Sequence, residues 1–244
     1  MGEFVGEIVE IKDETYDVKS FRIRLSEDID YIPGQYCLVS FIDRLKGQAK
    51  PFTFASSPAE KGYILLTVKK VGEFTIALHS LEKGAMIKIN GPYGVNLNFN
   101  ESVKEDVIFI AGGSGITPFI SALRYSVAKR LPNRIILFFS NRIEEDIIFR
   151  EELAEMNKKE NIKIVNTLSG KSYENWDGEI GRINIGMINK HVDGIDNKLW
   201  YICAPPPMVN AMKGILKGMG IPEEKIRIEK WQISGKHDKK SSLK

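Results

Sequence analysis

The stretch "VIFIAGGSGITP", residues 107–118, decides how the second half of this chain folds. Its first five residues are apolar without interruption, the pattern of a strand buried on both faces. They run into Gly112, Gly113 and Gly115, after which Thr117 suits a helix N-cap and Pro118 the first helical position. A strand that ends in glycines and leads into a helix is a phosphate-binding arrangement. Glycine lets the backbone come close to the ligand, and the unpaired N–H groups of the helix start face an anion. The plain alternative is a tight strand-to-helix turn with no ligand. From Gly113 the spacing is G-x-G-x-x-P, so the third glycine of the dinucleotide fingerprint is missing. The second strand ends in "FFSNR", where an acid about 20 residues on would accompany that fingerprint.

Outward from this turn, the chain after "NLNFNESVKED" alternates between uniform apolar strands and helices. The strands are "DVIFIAG", "RIILFFS", "IKIVNTLS", "LWYICA" and "KIRIEKW"; the helices are "PFISALRYSVAKRL", "EEDIIFREELAEMNKK", "GRINIGMINKHV" and "PPMVNAMKGILKGMG". Buried strands joined by helices predict a doubly wound parallel sheet. Residues 3–95 have another texture, short runs that alternate apolar and polar: "FVGEIVEIKD", "VKSFRIRL", "QYCLVSFI", "KPFTFAS", "YILLTVKKV" and "MIKING". That pattern predicts an antiparallel β-barrel or sandwich. One short helix, "FTIALHSLEKG", interrupts it and is expected to end at a C-cap glycine, Gly84. The change of texture sets a boundary near residues 98–105. The expected division is a barrel over 1–100, an α/β domain over 101–235, and a basic tail over 236–244 that is expected to be disordered.

Composition narrows the function. The chain has 244 residues, net charge +3, two cysteines and three histidines. No run of about 18 apolar residues exists, which excludes an apolar membrane-spanning helix. The first residues carry acids and lack an apolar signal core, so a cytoplasmic location is expected. Lysines are scattered rather than gathered into a stripe, which argues against nucleic-acid binding. A cysteine-ligated iron–sulfur cluster needs about four thiolates, and Cys37 and Cys203 cannot supply them. No metal site is expected.

Several further stretches fall in order along the chain: "KPFTFASSP" (50–58), "TVKKVGEFTIALHSL" (67–81), "GPYG" (91–94), "GGSGITP" (112–118), "SNRIEEDIIFREEL" (140–153) and "CAPPPMV" (203–209). In this order and spacing the chain resembles the ferredoxin–NADP reductase superfamily, including the reductase modules of cytochrome b5 reductase and oxygenase reductases. The resemblance covers about residues 3–231. It implies a flavin-binding β-barrel followed by a nicotinamide-binding α/β domain. It also implies a hydride passed from NADH or NADPH to bound FAD, with FMN the alternative, and electrons handed on to a separate acceptor protein or small molecule. Two other readings stand beside it: an electron-transfer subunit of a larger complex, and a redox-silent nucleotide-binding module.

The resemblance also implies residue roles. The family's Arg-x-Tyr-Ser/Thr motif matches Lys50, Phe52 and Thr53, with Pro51 between them. Phe52 keeps a ring able to stack on the flavin and lacks the phenol hydroxyl. Lys50 would meet the phosphate as a point charge without the planar fork of arginine. Thr53 would face flavin N5. Val68, Lys69, Gly72 and Thr75 form the second flavin segment, with Thr75 a hydroxyl donor at a helix start. Gly112, Gly113, Ser114, Gly115, Thr117 and Pro118 would cradle the nicotinamide nucleotide's pyrophosphate. Cys203, Ala204, Pro205 and Met208 match the family's Cys-Gly-x-x-x-Met, with an alanine where the family has glycine, at the end of the fourth strand of the sheet. Cys203 would lie where nicotinamide meets flavin, so Thr53 and Cys203 are the candidate catalytic pair. Asn141, Arg142 and Asp146 would meet the adenosine half. Arg142 could stack on adenine or grip a 2′-phosphate, while Asp146 would accept the ribose hydroxyls and repel that phosphate. In the plain reading, the acids at 144–146 begin a helix, and Arg142 and Asp146 pair with each other. Glu229 and Trp231 match an acid and an aromatic near the flavin. His79 is read as structural.

Overall fold

In a computed structural model, which describes residues 2–170 and 175–230, the chain builds two six-stranded sheets. The first contains β1 (Gly2–Thr15), β2 (Val18–Leu25), β3 (Tyr36–Phe41), β4 (Lys50–Thr53), β5 (Tyr63–Lys69) and β6 (Met86–Tyr93), in the order β4-β3-β6-β1-β2-β5. Every pairing is antiparallel. A bridge between Phe54 and Leu66 brings the β4 edge onto β5, so the sheet nearly closes on itself. Alternation dictates this curl: Cys37, Val39 and Phe41 of β3 and Ile64, Leu66 and Val68 of β5 all point into one core with Ile87 and Ile89 of β6. The helix α1 (Glu73–His79) plugs one end of that core with Phe74 and Leu78. It stops at Ser80 rather than at Gly84. Gly84 instead takes φ +91 in the turn before β6 and donates its N–H to the Ile8 carbonyl at 2.8 Å.

The second sheet is parallel throughout, in the order β10-β9-β8-β7-β11-β12. Its strands are β7 (Asp106–Gly112), β8 (Ile135–Asn141), β9 (Ile162–Leu168), β10 (Glu179–Ile180), β11 (Lys198–Ala204) and β12 (Ile226–Lys230). The helices α2 (Thr117–Lys129), α3 (Arg150–Met156), α4 (Ile185–His191) and α5 (Pro206–Gly218) connect them. Two separate clusters of buried side chains cover its two faces, one around Phe109, Phe119 and Phe139 and one around Trp200, Ile202 and Val209. The chain leaves β7 in one direction through β8, β9 and β10, then returns to place β11 on β7's other side. The reversal creates a crevice at the carboxyl ends of β7 and β11, the place where open α/β sheets bind ligands.

Three details depart from the sequence expectations. The segment after β8 is not one helix: a 3-10 turn (Glu144–Asp146) is followed by Phe149 in the left-handed region, φ +59, before α3 begins. Ile147, Ile148 and Phe149 are all buried, and three consecutive apolar residues cannot share one helical stripe. The two-residue β10 intervenes, so the segment "CAPPPM" begins at the end of the fifth strand of this sheet rather than the fourth. Finally, Thr117 is not an N-cap. A 3-10 turn (Gly113–Ile116) already starts the helical path, so Thr117 and Pro118 are the first two residues of α2. The Thr117 hydroxyl donates back to the Ser114 carbonyl at 3.1 Å. The basic tail, 236–244, lies outside the described residues.

Candidate functional site

The glycine turn is shaped by contact with the end of β11. A Cβ on Gly112 would stand 2.8 Å from Met208 Sδ, 3.1 Å from Pro205 Cδ and 3.2 Å from the Ala204 methyl. One on Gly115 would stand 2.0 Å from the Cys203 carbonyl oxygen. The segments 112–118 and 203–208, far apart in sequence, therefore interlock here. Gly113 differs: its φ is +53, and nothing lies within 4 Å of where a Cβ would be. Its side faces open space, which suits close approach by a ligand. The opening N–H groups of this 3-10 turn are those a helix start leaves without intrahelical partners. The start of α5 offers no such donors, because Pro206 and Pro207 have none and Met208 donates its N–H to the Pro205 carbonyl. An anion at this crevice would be met by the 112–117 side alone.

Next to the turn, at the end of β8, both polar atoms of the Asn141 side chain are buried without a hydrogen-bond partner among the described residues. Its carbonyl is fixed by the Ser169 N–H at 2.9 Å and the Ser169 hydroxyl at 3.1 Å. Arg142 is exposed and Asp146 half-buried; among the described residues neither side chain joins an ion pair, so the expected Arg142–Asp146 pair does not form. Arg150 pairs with Glu144 instead. The acids at 144–146 sit on their own turn, and Glu151 and Glu152 occupy the first turn of α3.

On the barrel, Thr53 is buried and its hydroxyl has no partner among the described residues. A buried hydroxyl without a hydrogen bond costs about 1–3 kcal/mol, and such an orphan in a native structure points to a missing group. Register places Thr53 opposite Tyr36, and Phe52 opposite Cys37. Adjacent strand residues face opposite ways. Thr53 thus shares its side with Tyr36, whose ring lies 5.8 Å from that of Tyr93, whereas the half-buried Phe52 lies toward Phe74, with ring centroids 6.1 Å apart. Lys50 is half-buried and joins no ion pair among the described residues; Pro51 is exposed.

The second flavin segment is more self-contained. Lys69 Nζ pairs with Asp17 at 2.9 Å. The Thr75 hydroxyl accepts from the N–H groups of Val71 and Gly72 at 2.9 and 3.0 Å and donates to the Gly72 carbonyl at 2.9 Å. Its one proton is thereby committed to the start of α1. The Val68 carbonyl is held by His79 Nε2 at 2.8 Å, and burial keeps that imidazole below its ordinary pKa.

Cys203 is fully buried at the end of β11, in register with Ala111 on one side and Glu229 on the other. Burial pushes the Glu229 carboxyl up to about 7, and its Oε2 is enclosed without a hydrogen-bond partner among the described residues. Trp231 lies outside the described residues.

Two sequence families match the chain: an oxidoreductase FAD-binding domain over residues 6–97 and an oxidoreductase NAD-binding domain over 109–214. An NADH-cytochrome b5 reductase 1 of Aspergillus terreus is 30% identical over 225 residues, 85% of this chain and 75% of that protein. The chain belongs to the ferredoxin–NADP reductase superfamily. The reductase is also 25% identical over 233 residues to the reductase component of a naphthalene 1,2-dioxygenase system of Pseudomonas putida, covering 94% of this chain and 69% of that one. A solved ferredoxin NADP+ reductase from Neisseria gonorrhoeae has the same fold, with TM-score 0.81 at 20% identity, over 94% of this chain and 99% of that one. This reductase is an NAD(P)H-dependent flavoprotein oxidoreductase with a nearly closed antiparallel barrel and a parallel α/β sheet, as the sequence predicts. Among the described residues no helix is long and apolar enough to cross a membrane.

Sequence reading missed one group of residues where the two sheets meet. Ser121 and Arg124 of α2 donate to the carbonyls of Ser56 and Ala55, just beyond Thr53. Their spacing from Thr117, i+4 and i+7, is the available signal, since it puts all three on one helix face.

Proposed function

We propose that the reductase binds FAD along β4, β5 and the start of α1, and NADH across the crevice at the ends of β7 and β11. The carrying observation is the buried, unpartnered Thr53 hydroxyl on the barrel. The orphaned amide of Asn141 and the open Gly113 complement it on the α/β side. These residues fit both groups. When bound, the flavin supplies the hydride-accepting and electron-releasing chemistry, and the protein supplies binding and orientation.

In this reading Thr53 donates a hydrogen bond toward flavin N5 and Lys50 borders the phosphate. Phe52, on the other side of β4 and packed toward Phe74, meets the flavin only with its part-exposed edge. Val68 and Lys69 contribute backbone, while Gly72 and Thr75 shape the turn beside the phosphate. Gly112, Gly113, Ser114, Gly115 and Thr117 hold the pyrophosphate of the incoming nucleotide, with Pro118 fixing the helix behind them. Cys203, Ala204, Pro205 and Met208 form the wall against which the nicotinamide ring is oriented, and Glu229 stands beside that wall. The division of the chain is 1–100 for the flavin domain and 101–235 for the nicotinamide domain.

NADH is favoured over NADPH because Asp146, which joins no ion pair among the described residues, places a carboxylate where a 2′-phosphate would be repelled. FAD is favoured over FMN by the match to an FAD-binding domain. The proposed acceptor is a separate protein or small molecule, and the proposed location is the cytoplasm; the two cysteines of these 244 residues cannot by themselves ligate an iron–sulfur cluster. The test is direct. Flavin released by denaturing the purified protein is expected to have the mass of FAD, and anaerobic reduction is expected to be at least tenfold faster with NADH than with NADPH. Release of FMN, or a preference for NADPH, would contradict this assignment.

A further inference from the structure

One face of α2 connects the nucleotide turn to the flavin strand. Thr117 closes the turn through Ser114, Ser121 Oγ donates to the Ser56 carbonyl at 2.6 Å, and Arg124 Nη1 donates to the Ala55 carbonyl at 2.7 Å. Ala55 and Ser56 are the second and third residues after Thr53. Arg124 is itself fixed: Nε and Nη2 form a fork onto the Glu152 carboxylate of α3 at 2.7 and 2.6 Å, and the guanidinium lies 5.0 Å from the Phe149 ring centroid. Its side chain is only 15% exposed. From the barrel side, Tyr31 reaches the same backbone. Its hydroxyl is 3.0 Å from the Ser56 carbonyl and 2.8 Å from Ser56 Oγ, which also accepts from the Leu65 N–H at 2.9 Å. Ser56 and Ser57 are both completely buried.

We propose that Arg124, held by Glu152, is a positioning residue for hydride transfer: it sets the distance between the nucleotide turn and Thr53. The proposal rests on the reading that Thr53 faces the flavin and residues 113–117 face the nucleotide. Given that reading, one rigid helix carries the nucleotide turn at its start and grips the Thr53 strand two turns later. The two reacting rings are thereby referred to a common ruler. A displacement of about 1 Å at a reacting centre lowers the rate by about 100-fold, so a clamp this close to Thr53 acts on rate rather than on affinity. Arginine is required because three N–H groups are used at once in fixed directions; a lysine ammonium can keep the carbonyl or the carboxylate, but not the fork and the carbonyl together.

The experiment compares wild type with Arg124→Leu, Arg124→Lys and Glu152→Gln. Anaerobic rapid mixing with NADH gives the flavin-bleaching rate and its dependence on NADH concentration. Amide hydrogen exchange over residues 54–57, in flavin-free protein, reads the clamp without turnover. Arg124→Leu is expected to slow bleaching at saturating NADH at least tenfold, to change the half-saturating concentration less than threefold, and to speed exchange over 54–57. Arg124→Lys is expected not to restore the rate. Should Arg124→Leu fail to fold, Glu152→Gln decides, with an expected threefold to tenfold slowing. Bleaching within twofold of wild type in the folded variants, or unchanged exchange over 54–57, would overturn the positioning role. So would a loss of rate that lysine fully restores. Wild-type protein that holds flavin but is bleached by neither nucleotide would instead remove the reading beneath the proposal, and the proposal with it.

Discussion

Gly115→Ala is expected to cost the protein about 3 kcal/mol, the upper range for forcing atoms into a packed interior, and to remove its affinity for nicotinamide nucleotides. The added Cβ would lie 2.0 Å from the Cys203 carbonyl oxygen and 2.6 Å from its carbon. Those atoms belong to β11, paired on one side with β7 and on the other with β12, so they cannot retreat without breaking a ladder. The turn must move instead, and with it the N–H groups that would meet the pyrophosphate. Gly113→Ala provides the contrast. Its Cβ meets nothing within 4 Å, and only the left-handed φ of +53 is strained, at about 1–2 kcal/mol. Denaturant midpoints and nucleotide titrations of the two variants check this ordering. Equal stability of the two would mean that the interlock of the glycine turn with β11 is not what fixes the site.

Thr53→Val should separate stability from function in opposite directions. Valine keeps the shape of threonine and removes a hydroxyl that is buried without a partner among the described residues. Without flavin, the variant is expected to be as stable as wild type or about 1 kcal/mol more stable, since an unsatisfied buried polar group is a net cost. With flavin bound, reduction by NADH is expected to slow about 100-fold, the scale on which a single aimed donor contributes. Thr53→Ser should retain most of the rate. Thermal melts of the flavin-free proteins and anaerobic bleaching rates test both halves. A Thr53→Val protein that is reduced at the wild-type rate would take Thr53 out of the chemistry.

Local pattern carried most of the fold. Alternation marks β3, over Tyr36–Phe41, because one face of that strand is buried. Uniform apolarity marks β7, where six of seven residues are buried. Tertiary packing hid the rest. Residues 147–149 look helical by composition, but all three are drawn into the core, and the chain breaks at Phe149 to permit it. Thr117 looks like an N-cap because nothing local shows that helical backbone already begins at Gly113. At the site, glycines and motif order mark the residues that line it. The reasons for them came from contacts between distant segments, such as Gly115 against Cys203. The Arg124 clamp joins residues 69 positions apart, and no local pattern announces such a bond.

The most direct test of the central claim is the absorbance of the purified protein before and after anaerobic addition of NADH. The expected result is a yellow protein, or one that turns yellow on binding added FAD, whose flavin absorbance is bleached by stoichiometric nucleotide and returns when an electron acceptor is supplied. A colourless protein that takes up neither FAD nor FMN, or a bound flavin that neither NADH nor NADPH reduces, would contradict it.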